Sequence, residues 1–497
     1  MSKVMMIGID GLDPILLSKF KNELPNFNAF MKQSPTFKSE SVIPPDSFSA
    51  WTSIFTGLNP AEHGILYTPD VFEKNKDRAK MNISNEILKG KTFWDIAGSA
   101  GKKVCVLFPV FAYPPWEVNG IMVSRHPLNQ GEVLTFPPNL HEKYKVSHLR
   151  GMTEEHPGSN RLERIFDHAK TVTLDEANFG MEILRNHKDE DLFFIYFVAL
   201  DELEHFFWRY YDENDPTYPG DNPYKNVIRD YYKIIDKIIG EYTEINPDVT
   251  TIILSDHGHG MRPPKTVNIN EFLRKRGFLK SNYSRLNHRS FVLERFKRLI
   301  LDIIHKYELD YWAVRISRLA PKMSKEIYMS TSTINMSETS AFLSSFAGPK
   351  SYPHGGIEIN QRNLRNLKYE EMRNLLIKEI SNLKDPDTEE ELVKWVCKRE
   401  ELYSGKYISK YPDIVFELKD GFGVFWSIHT PLIGTAYEHN LAPGGHKQAA
   451  VFLINKMNKR IGHDYISLMD IAPTILDLLE INLKDSVFKG RSIFEKS

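Results

Sequence analysis

The chain has 497 residues, with 64 Lys and Arg against 65 Asp and Glu, so its formal net charge is −1. This balance provides no extended positive field and argues against nucleic acid as a partner. The length suits one large α/β domain with insertions or two domains, and it is sufficient to bury a sizeable core.

The first element is the apolar run Val4–Ile9, which predicts a strand buried on both faces and ends at Asp10. This run follows Lys3 and is too short for a signal-peptide core or a membrane span. It therefore favours a cytoplasmic protein without a membrane partner. Asp10 is either a cap for the following helix, predicted over residues 16–31 with an interruption at Pro25, or a functional carboxylate.

The stretch 41–65, SVIPPDSFSAWTSIFTGLNPAEHGI, combines a loop rich in Pro and hydroxyl residues with a short helix predicted from about Ala50 to Thr56. Ser47 lies where such a turn exposes a hydroxyl beside helix N–H groups that can hold an anion, so it is a candidate nucleophile. The alternative is that Asp46 or Ser47 only caps the helix.

Further along the chain, helices and strands alternate in the pattern of an α/β fold. Apolar runs and helical spacing predict strands at 103–108, 121–124, 192–199 and 249–254, and helices starting at Thr92 and spanning 173–186 and 224–242. The polar stretch 135–160 is predicted to be a loop insertion. Cys105 and Cys397 are interpreted as buried small residues of a reducing compartment in preference to a disulfide.

Acidic and histidine residues follow several of these strands. Asp201 and His205 are four residues apart, so on a helix they share a face and can chelate one ion, although a solvated pair is equally consistent with the spacing. Asp256 and His257 follow the strand at 249–254, and the glycines beyond them permit the irregular backbone that two adjacent ligands need. Strand ends in an α/β sheet converge on one rim. Together with Asp10 and with His446, which precedes a later apolar run, these residues make six candidate ligands, and six ligands with Ser47 suit two metal ions.

The later part of the chain contains a stretch from 263 to 345 that is richer in Lys and Arg and includes an amphipathic helix around residues 292–304. We interpret it as a helical insertion, with a lid or a lipid-facing or polyanion-facing basic surface as the alternative. The sheet is expected to resume with strands at 339–343, 355–360, 391–398, 413–418 and 448–454, accompanied by helices at 363–383 and 468–481. His446 precedes the last of these strands.

Taken together, these motifs resemble the alkaline phosphatase superfamily, specifically its type I phosphodiesterase/nucleotide pyrophosphatase branch. The matching pieces are IGIDGLDP, DSFSAWTSIFTGLNPAEHGI, DELEHFFWRYYD, SDHGHG, PGGHK and DIAPTILDLLEI, in the family's order from Ile7 to Ile481. The resemblance implies an α/β fold with a central, mostly parallel sheet flanked by helices. The catalytic domain would comprise residues 1–262 and 346–497, with residues 263–345 as a helical insertion or lid.

The resemblance also assigns the site residues. It implies that Asp201, His205 and His446 bind a first metal, that Asp10, Ser47, Asp256 and His257 surround a second, and that Ser47 is the nucleophile. The resemblance further implies that His63, in the Pro-x-x-His-Gly segment, supports the turn and is structural. His259 is expected to support the ligands or to be structural. Zinc is the expected metal because His and Asp ligands suit it, with Mn²⁺ or Mg²⁺ as alternatives.

The expected activity is a two-metal hydrolysis of phosphodiester or pyrophosphate bonds in small molecules through a phosphoseryl intermediate. Two divalent ions, three aspartates and a serine alkoxide would leave the site near neutral. No Lys or Arg occurs between Ser41 and Glu73, which favours the singly charged diester. A phosphomonoesterase, a phosphate-transferring mutase and a non-catalytic metal-binding protein are the alternatives, and the loop lacks the Cys/Ser-x-Pro-x-Arg pattern of sulfatases.

Two departures from the nucleotide pyrophosphatase pattern concern the substrate. The position of that branch's loop asparagine corresponds here to Thr68, and the nucleophile is serine where the branch commonly uses threonine. The sequence therefore leaves nucleotide specificity open.

Overall fold

The computed structural model describes residues 3–66, 87–126, 132–149, 151–152, 161–282, 299, 303, 334–346, 352–457, 459–482 and 488–495. These residues form two compact units. The first lies within 1–213, 218–260 and 446–497, and the second within 214–217 and 261–445. Most of the predicted 263–345 insertion lies outside the described residues, so the domain division at 262 and 346 stays a prediction.

The first unit is built on a seven-stranded sheet. Its strands are β1 (Val4–Ile9), β3 (Val104–Leu107), β4 (Gly120–Arg125), β5 (Val133–Phe136), β6 (Leu192–Phe197), β7 (Thr250–Leu254) and β18 (Phe452–Ile454). Their order is β18-β7-β1-β6-β3-β4-β5. The five strands from β7 to β4 pair in parallel, while β5 and β18 pair antiparallel at the two edges. The predicted mostly parallel central sheet is confirmed.

Helices flank this sheet. They are α1 (Pro14–Phe20), α2 (Pro25–Gln33), α3 (Ser47–Thr56), α4 (Pro60–His63), α5 (Phe93–Ser99), α6 (Leu140–Lys143), α7 (Arg161–Asn186), α8 (Ala199–Tyr211), α9 (Val227–Ile245) and α14 (Ile471–Leu478). The helix predicted to start at Thr92 is confirmed, and Thr92 and Asp95 form a capping box at the start of α5. A small second sheet in the order β17-β2-β19 comprises β2 (Lys38–Glu40), β17 (Ala449–Ala450) and β19 (Tyr465–Ser467).

One close approach fixes the helix that carries Ser47 against the central strand. Trp51 of α3 is fully buried, and a Cβ added at Gly8 of β1 would lie 2.5 Å from its ring. Only glycine at residue 8 therefore lets the indole reach the sheet, where it also packs against Phe194 and Tyr196 of β6. This packing holds α3 against the sheet.

The second unit contains a four-stranded antiparallel sheet and a three-stranded sheet. The first, in the order β10-β11-β13-β12, comprises β10 (Ala341–Leu343), β11 (His354–Ile359), β12 (Val393–Lys398) and β13 (Ile414–Leu418). The second, in the order β14-β9-β15, comprises β9 (Lys265–Asn268), β14 (Phe422–Phe425) and β15 (Ile433–Thr435). The helices are α10 (Ile269–Lys275), α11 (Tyr369–Ser381), α12 (Arg399–Leu402) and α13 (Tyr437–Leu441).

The expectation that the central sheet resumes at residue 339 is wrong. The strands predicted at 339–343, 355–360, 391–398 and 413–418 exist, but they pair with one another around an apolar core of their own. Only β18 joins the central sheet. Strand positions follow from local patterning, whereas pairing depends on which buried faces meet.

Two further strands, β8 (Gly258–Met261) and β16 (Gly444–Lys447), each cross the boundary between the units along the chain. Cys105 and Cys397 are free thiols, as predicted, although Cys397 is only partly buried. Among the described residues, no helix is both long and apolar enough to pass through a lipid bilayer.

Candidate metal centre

The predicted site residues all lie in the first unit, and the structure brings them together at one rim of the central sheet. Asp10 directly follows β1, Asp201 lies in the first turn of the helix after β6, and Asp256 and His257 follow β7. Because β7, β1 and β6 are adjacent and parallel, their carboxyl ends place these groups side by side. Ligand-binding sites of open, parallel α/β sheets lie at the rim formed by the carboxyl ends of the strands.

Ser47 is the first residue of α3. Asp46 is the N-cap, and its side chain accepts a hydrogen bond from the backbone N–H of Phe48. Of the two residues considered as caps, Asp46 is therefore the helix cap, and the Ser47 hydroxyl is not used for capping. Ser47 Oγ lies 3.2 Å from His257 Nε2 and 3.4 Å from Asp10 Oδ1. The hydroxyl thus faces both a nitrogen and a carboxylate at the positive end of a helix.

One cluster of donors comprises Asp10, Asp256 and His257, all buried. His257 Nε2 lies 3.3 Å from Asp256 Oδ2 and 3.6 Å from Asp10 Oδ1. On the other side of the ring, Nδ1–H donates to the carbonyl of Gly258 at 3.0 Å. That hydrogen bond fixes the tautomer and leaves the Nε2 lone pair directed at the carboxylates, as in a metal-binding histidine.

The second cluster comprises Asp201, His205 and His446. His205 Nε2 lies 3.3 Å from Asp201 Oδ2, and His446 Nε2 lies 3.4 Å from Asp201 Oδ1. The two Nε2 atoms are 3.2 Å apart. His446 Nδ1–H donates to the carbonyl of Pro45 at 2.9 Å, so its Nε2 also presents a lone pair. A separation of 3.2 Å lets a hydrogen bond or a shared cation bridge the two nitrogens.

Gly11 and Tyr196 position the carboxylates. The backbone N–H of Gly11 donates to Asp256 Oδ1 at 3.3 Å, and the Tyr196 hydroxyl donates to Asp10 Oδ2. Gly11 has φ +72°, and a Cβ there would lie 3.1 Å from Cα of Asp201. The turn after β1 therefore needs glycine both for its backbone conformation and for its close approach to Asp201.

The carboxylates of the two clusters repel one another. Burial, reinforced by the charge of Asp201, raises the pKa of Asp10 well above its ordinary value. Burial and the charges of Asp10 and Asp201 raise the pKa of Asp256 in the same way. Burial also raises the pKa of Asp201, but His205 and His446 outweigh it and hold that pKa well below the usual range. A positive charge between the clusters would relieve this repulsion.

Two of the histidines, His257 and His259, have the protonation state that metals require. Burial lowers the pKa of His257 below its ordinary value and that of His259 to about 3. Both imidazoles are therefore neutral at neutral pH, with a lone pair available. This shift arises because a charged imidazole loses its hydration when it is buried.

The donor set fits divalent cations. Asp201 Oδ1 and Asp256 Oδ2 are buried and have no hydrogen-bond partner among the described residues, a costly arrangement for a carboxylate. Each faces histidine nitrogens at 3.2 to 3.4 Å. Carboxylate oxygens and neutral imidazoles at this spacing are the ligands that zinc and similar cations take in proteins.

The sequence patterns did not identify three neighbouring residues, Tyr196, Glu204 and His259, as metal ligands or catalytic groups. Tyr196, in β6, gave no separate signal within an apolar run. Glu204 is three residues after Asp201 and so shares its helical face, a spacing that could have indicated it. His259 was expected only to support the ligands, yet its nitrogens lie among the donors of the Asp201 and His205 cluster.

The remaining predictions on the loop differ in outcome. His63 Nδ1 accepts the backbone N–H of Ile65 at 3.2 Å, and its Nε2 lies 3.0 Å from Ser53 Oγ, consistent with the expected structural role. Thr68 and the amphipathic helix around 292–304 lie outside the described residues, apart from the exposed Leu299 and Ile303. Their roles stay predictions.

Comparison with solved structures shows the fold. Phosphonoacetate hydrolase from Sinorhizobium meliloti 1021 in complex with phosphonoformate is 12% identical, with a TM-score of 0.52, over 96% of this chain and 95% of that chain. Its complex with phosphonoacetate gives 13% identity and a TM-score of 0.51 over the same shares. Murine ectonucleotide pyrophosphatase/phosphodiesterase 5 in complex with AMP is 14% identical, with a TM-score of 0.48, over 97% of this chain and 96% of that chain.

Family membership follows from the sequence itself. No curated protein matches the chain. The model of the type I phosphodiesterase/nucleotide pyrophosphatase family, however, matches residues 4–445, most of the 497. The resemblance to the type I phosphodiesterase/nucleotide pyrophosphatase family found in the motifs is thereby confirmed. The chain belongs to the type I phosphodiesterase/nucleotide pyrophosphatase family, whose members are metal-dependent hydrolases of the phosphodiesterase and pyrophosphatase class.

Proposed function

We propose that this protein is a two-metal phosphohydrolase that cleaves phosphodiester or pyrophosphate bonds in small molecules through a phosphoseryl intermediate. The observation that carries the proposal is the position of Ser47 Oγ, 3.2 Å from His257 Nε2 and 3.4 Å from Asp10 Oδ1, at the start of α3. A serine hydroxyl held among ligand-type donors at a helix N-terminus suits attack on phosphorus.

The two donor clusters would each hold one ion. Asp201, His205 and His446 would hold the first, and Asp10, Asp256, His257 and Ser47 the second. Divalent cations in such sites lower the pKa of a neighbouring hydroxyl and stabilise the charge that develops on the departing oxygen. The hydrogen bonds that His257 and His446 donate to backbone carbonyls keep both Nε2 lone pairs directed at the site.

In the first step, Ser47 Oγ attacks phosphorus. The serine proton has Asp10 Oδ1 as its acceptor in the structure. The new bond joins Oγ to phosphorus, the bond to the leaving oxygen breaks, and that oxygen takes up a proton on release. Tyr196 holds the Asp10 carboxylate in place through its hydrogen bond to Oδ2, so the acceptor does not rotate during the step.

In the second step, water hydrolyses the phosphoseryl ester and regenerates Ser47. The positive end of α3 faces the phosphoryl group throughout, because Ser47 is the first residue of that helix. The absence of Lys and Arg from 41–73 favours a phosphodiester with its single charge over a doubly charged monoester.

The test compares Ser47→Ala with Ser49→Ala. Ser49 lies in the same helix, but its hydroxyl donates to the carbonyl of Ile65 at 2.8 Å and is fully buried. We expect Ser47→Ala to lower the rate of bis-p-nitrophenyl phosphate hydrolysis by at least about 10⁴-fold, the size of the fall in kcat that removal of a nucleophile causes. Ser49→Ala should retain activity, and both should retain metal by elemental analysis.

Unchanged diester hydrolysis in Ser47→Ala would remove this serine from the mechanism. The same assay, run with p-nitrophenyl phosphate, separates the alternatives. Faster turnover of that monoester would favour a phosphomonoesterase or a phosphate-transferring mutase, and absence of turnover with metal bound would favour a non-catalytic metal-binding protein.

Zinc is the proposed metal because histidine nitrogens and carboxylates suit it, and Mn²⁺ and Mg²⁺ are the alternatives for the more oxygen-rich cluster. Reconstitution with each ion separates them. A cytoplasmic location also stays a proposal. Its support is the free state of Cys105 and Cys397, and fractionation of cells tests it.

A further inference from the structure

His259 is a buried imidazole for which the proposed mechanism has no use. It lies in β8 between Gly258 and Gly260, and its side chain is fully inaccessible to solvent. Neither ring nitrogen forms a hydrogen bond with any described residue. Buried polar groups are almost always satisfied, so an imidazole with two unsatisfied nitrogens needs an explanation.

The surroundings of Nδ1 point to a cation. Nδ1 lies 3.2 Å from Asp201 Oδ1 and 3.5 Å from Glu204 Oε2. Both of these oxygens are buried and also lack a hydrogen-bond partner among the described residues. Two carboxylate oxygens therefore face one imidazole nitrogen at hydrogen-bond distance without an aligned hydrogen bond. Such an arrangement is typical of ligands around a metal.

The spacing matches that of the other donors in the cluster. His205 and His446 place their Nε2 atoms 3.3 and 3.4 Å from oxygens of Asp201, and His259 places Nδ1 at 3.2 Å. Donors at about 2.0 to 2.1 Å from zinc in a tetrahedron are separated by about 3.3 Å. Nitrogen atoms of His205 and His259 also lie within 4.8 Å of each other and of Asp201.

The backbone holds His259 in this position. Its N–H donates to Asp13 Oδ2 at 3.2 Å, and the other oxygen of Asp13 caps α1. A Cβ at Gly258 would lie 2.5 Å from the carbonyl oxygen of Ala449, so the backbone of β8 packs closely against the backbone at Ala449. The imidazole is consequently directed at Asp201 by a segment with little room to move.

We propose that His259 is a further protein ligand of the first metal, which would make Asp201, His205, His259 and His446 a nitrogen-rich cation site. This inference rests on the metal centre of the proposed function. Three imidazoles and one carboxylate favour zinc over magnesium or manganese, whereas the cluster of Asp10, Asp256 and His257 offers more oxygen.

The experiment replaces His259 with cysteine and with glutamine and uses Co²⁺ as the probe. The full chain is stripped of metal and titrated with Co²⁺, while absorption and binding are recorded. A thiolate attached directly to Cβ lies nearer the backbone than Nδ1, but the longer metal–sulfur bond, about 2.3 Å against about 2.0 Å, compensates. His187→Cys and His187→Gln are matched controls, since His187 contacts Tyr144 and Glu190 outside the clusters.

We expect a thiolate-to-cobalt charge-transfer band in His259→Cys that is absent from His187→Cys and from the unmodified protein. We also expect His259→Gln to weaken one of two Co²⁺ sites by more than about 100-fold, beyond the 10- to 100-fold typical of residues that only support a ligand. His187→Gln should bind both ions normally.

Absence of the charge-transfer band in a folded His259→Cys that still binds two ions would overturn the proposal. A loss below about 100-fold in His259→Gln with an unchanged cobalt spectrum would overturn it as well, because it would assign a supporting role. If the unmodified protein binds no Co²⁺, the metal centre of the proposed function falls too. Two Co²⁺ sites in both His259 variants with the affinities of the unmodified protein, and without the charge-transfer band in His259→Cys, would overturn this inference alone.

Discussion

The turn after β1 offers a sharp test of how the backbone positions the site, through the substitution Gly11→Ala. Gly11 has φ +72°, where a residue with a side chain pays roughly 1–2 kcal/mol. Its new Cβ would also lie 3.1 Å from both Cα and Cβ of Asp201, inside ordinary contact. Overpacking of this kind costs about 1–3 kcal/mol. The total expected destabilisation is therefore about 2–5 kcal/mol.

The second effect is functional. Because the clash is with the backbone at Asp201, it must separate the turn after β1 from the helix that begins at Ala199. Displacement of reacting groups by about 1 Å can cost on the order of 100-fold in rate. A contact of 3.1 Å is relieved by a shift smaller than this, so we expect Gly11→Ala to lose up to about that factor in diester hydrolysis and to bind the first metal more weakly.

Gly101→Ala is the matched control. Gly101 has φ +82°, but no atom lies within 4 Å of the position of its added Cβ. It should show only the conformational cost of roughly 1–2 kcal/mol, with normal activity and metal content. Urea unfolding, elemental analysis and the diester assay are run on both variants. If they behave alike in all three, the close approach of Gly11 to Asp201 does not set the geometry of the site.

Three further predictions concern the donors and their support. Tyr196→Phe removes the hydrogen bond to the buried Asp10 carboxylate, a bond worth about 1.5–3 kcal/mol. We therefore expect kcat/KM to fall about 10- to 100-fold with the fold retained. An unchanged kcat/KM would contradict the role given to this hydroxyl. His446→Ala should lose about one equivalent of metal by elemental analysis while circular dichroism stays normal, and retention of both ions would exclude it as a ligand. Dialysis against EDTA should abolish hydrolysis and lower the melting temperature, and added Zn²⁺ should restore both. Persistence of activity in metal-free protein would refute the metal-dependent mechanism.

The strands that deliver the site were predictable because each is a run of apolar residues buried on both faces. Val4–Ile9 was predicted with the bounds that the structure has, and 192–199 and 249–254 within two residues at either end. A parallel sheet then requires that the polar residues after these strands share one rim. The proximity of Asp10, Asp201 and Asp256 therefore followed from local pattern and a general rule of the fold.

Pairing between distant strands was not predictable in this way. The strands at 341–343 and 354–359 carry the same local signals as those of the central sheet, yet they form an antiparallel sheet in the second unit. A strand's own residues specify that one face is buried, but not which partner covers it. The expectation that the central sheet continued through this region failed for that reason.

By itself, the sequence determined the family, the central strands and the residue types of the site, because these depend on periodicity and on motifs of a few residues. The tertiary structure alone decided the tautomers of His257 and His446, the need for glycine at residue 11 and the place of His259 among the donors. Each of these depends on atoms that are distant in the chain: Pro45 is 401 residues from His446, and His259 is 58 residues from Asp201. Local sequence carries no record of such distances, since only the packed fold sets them.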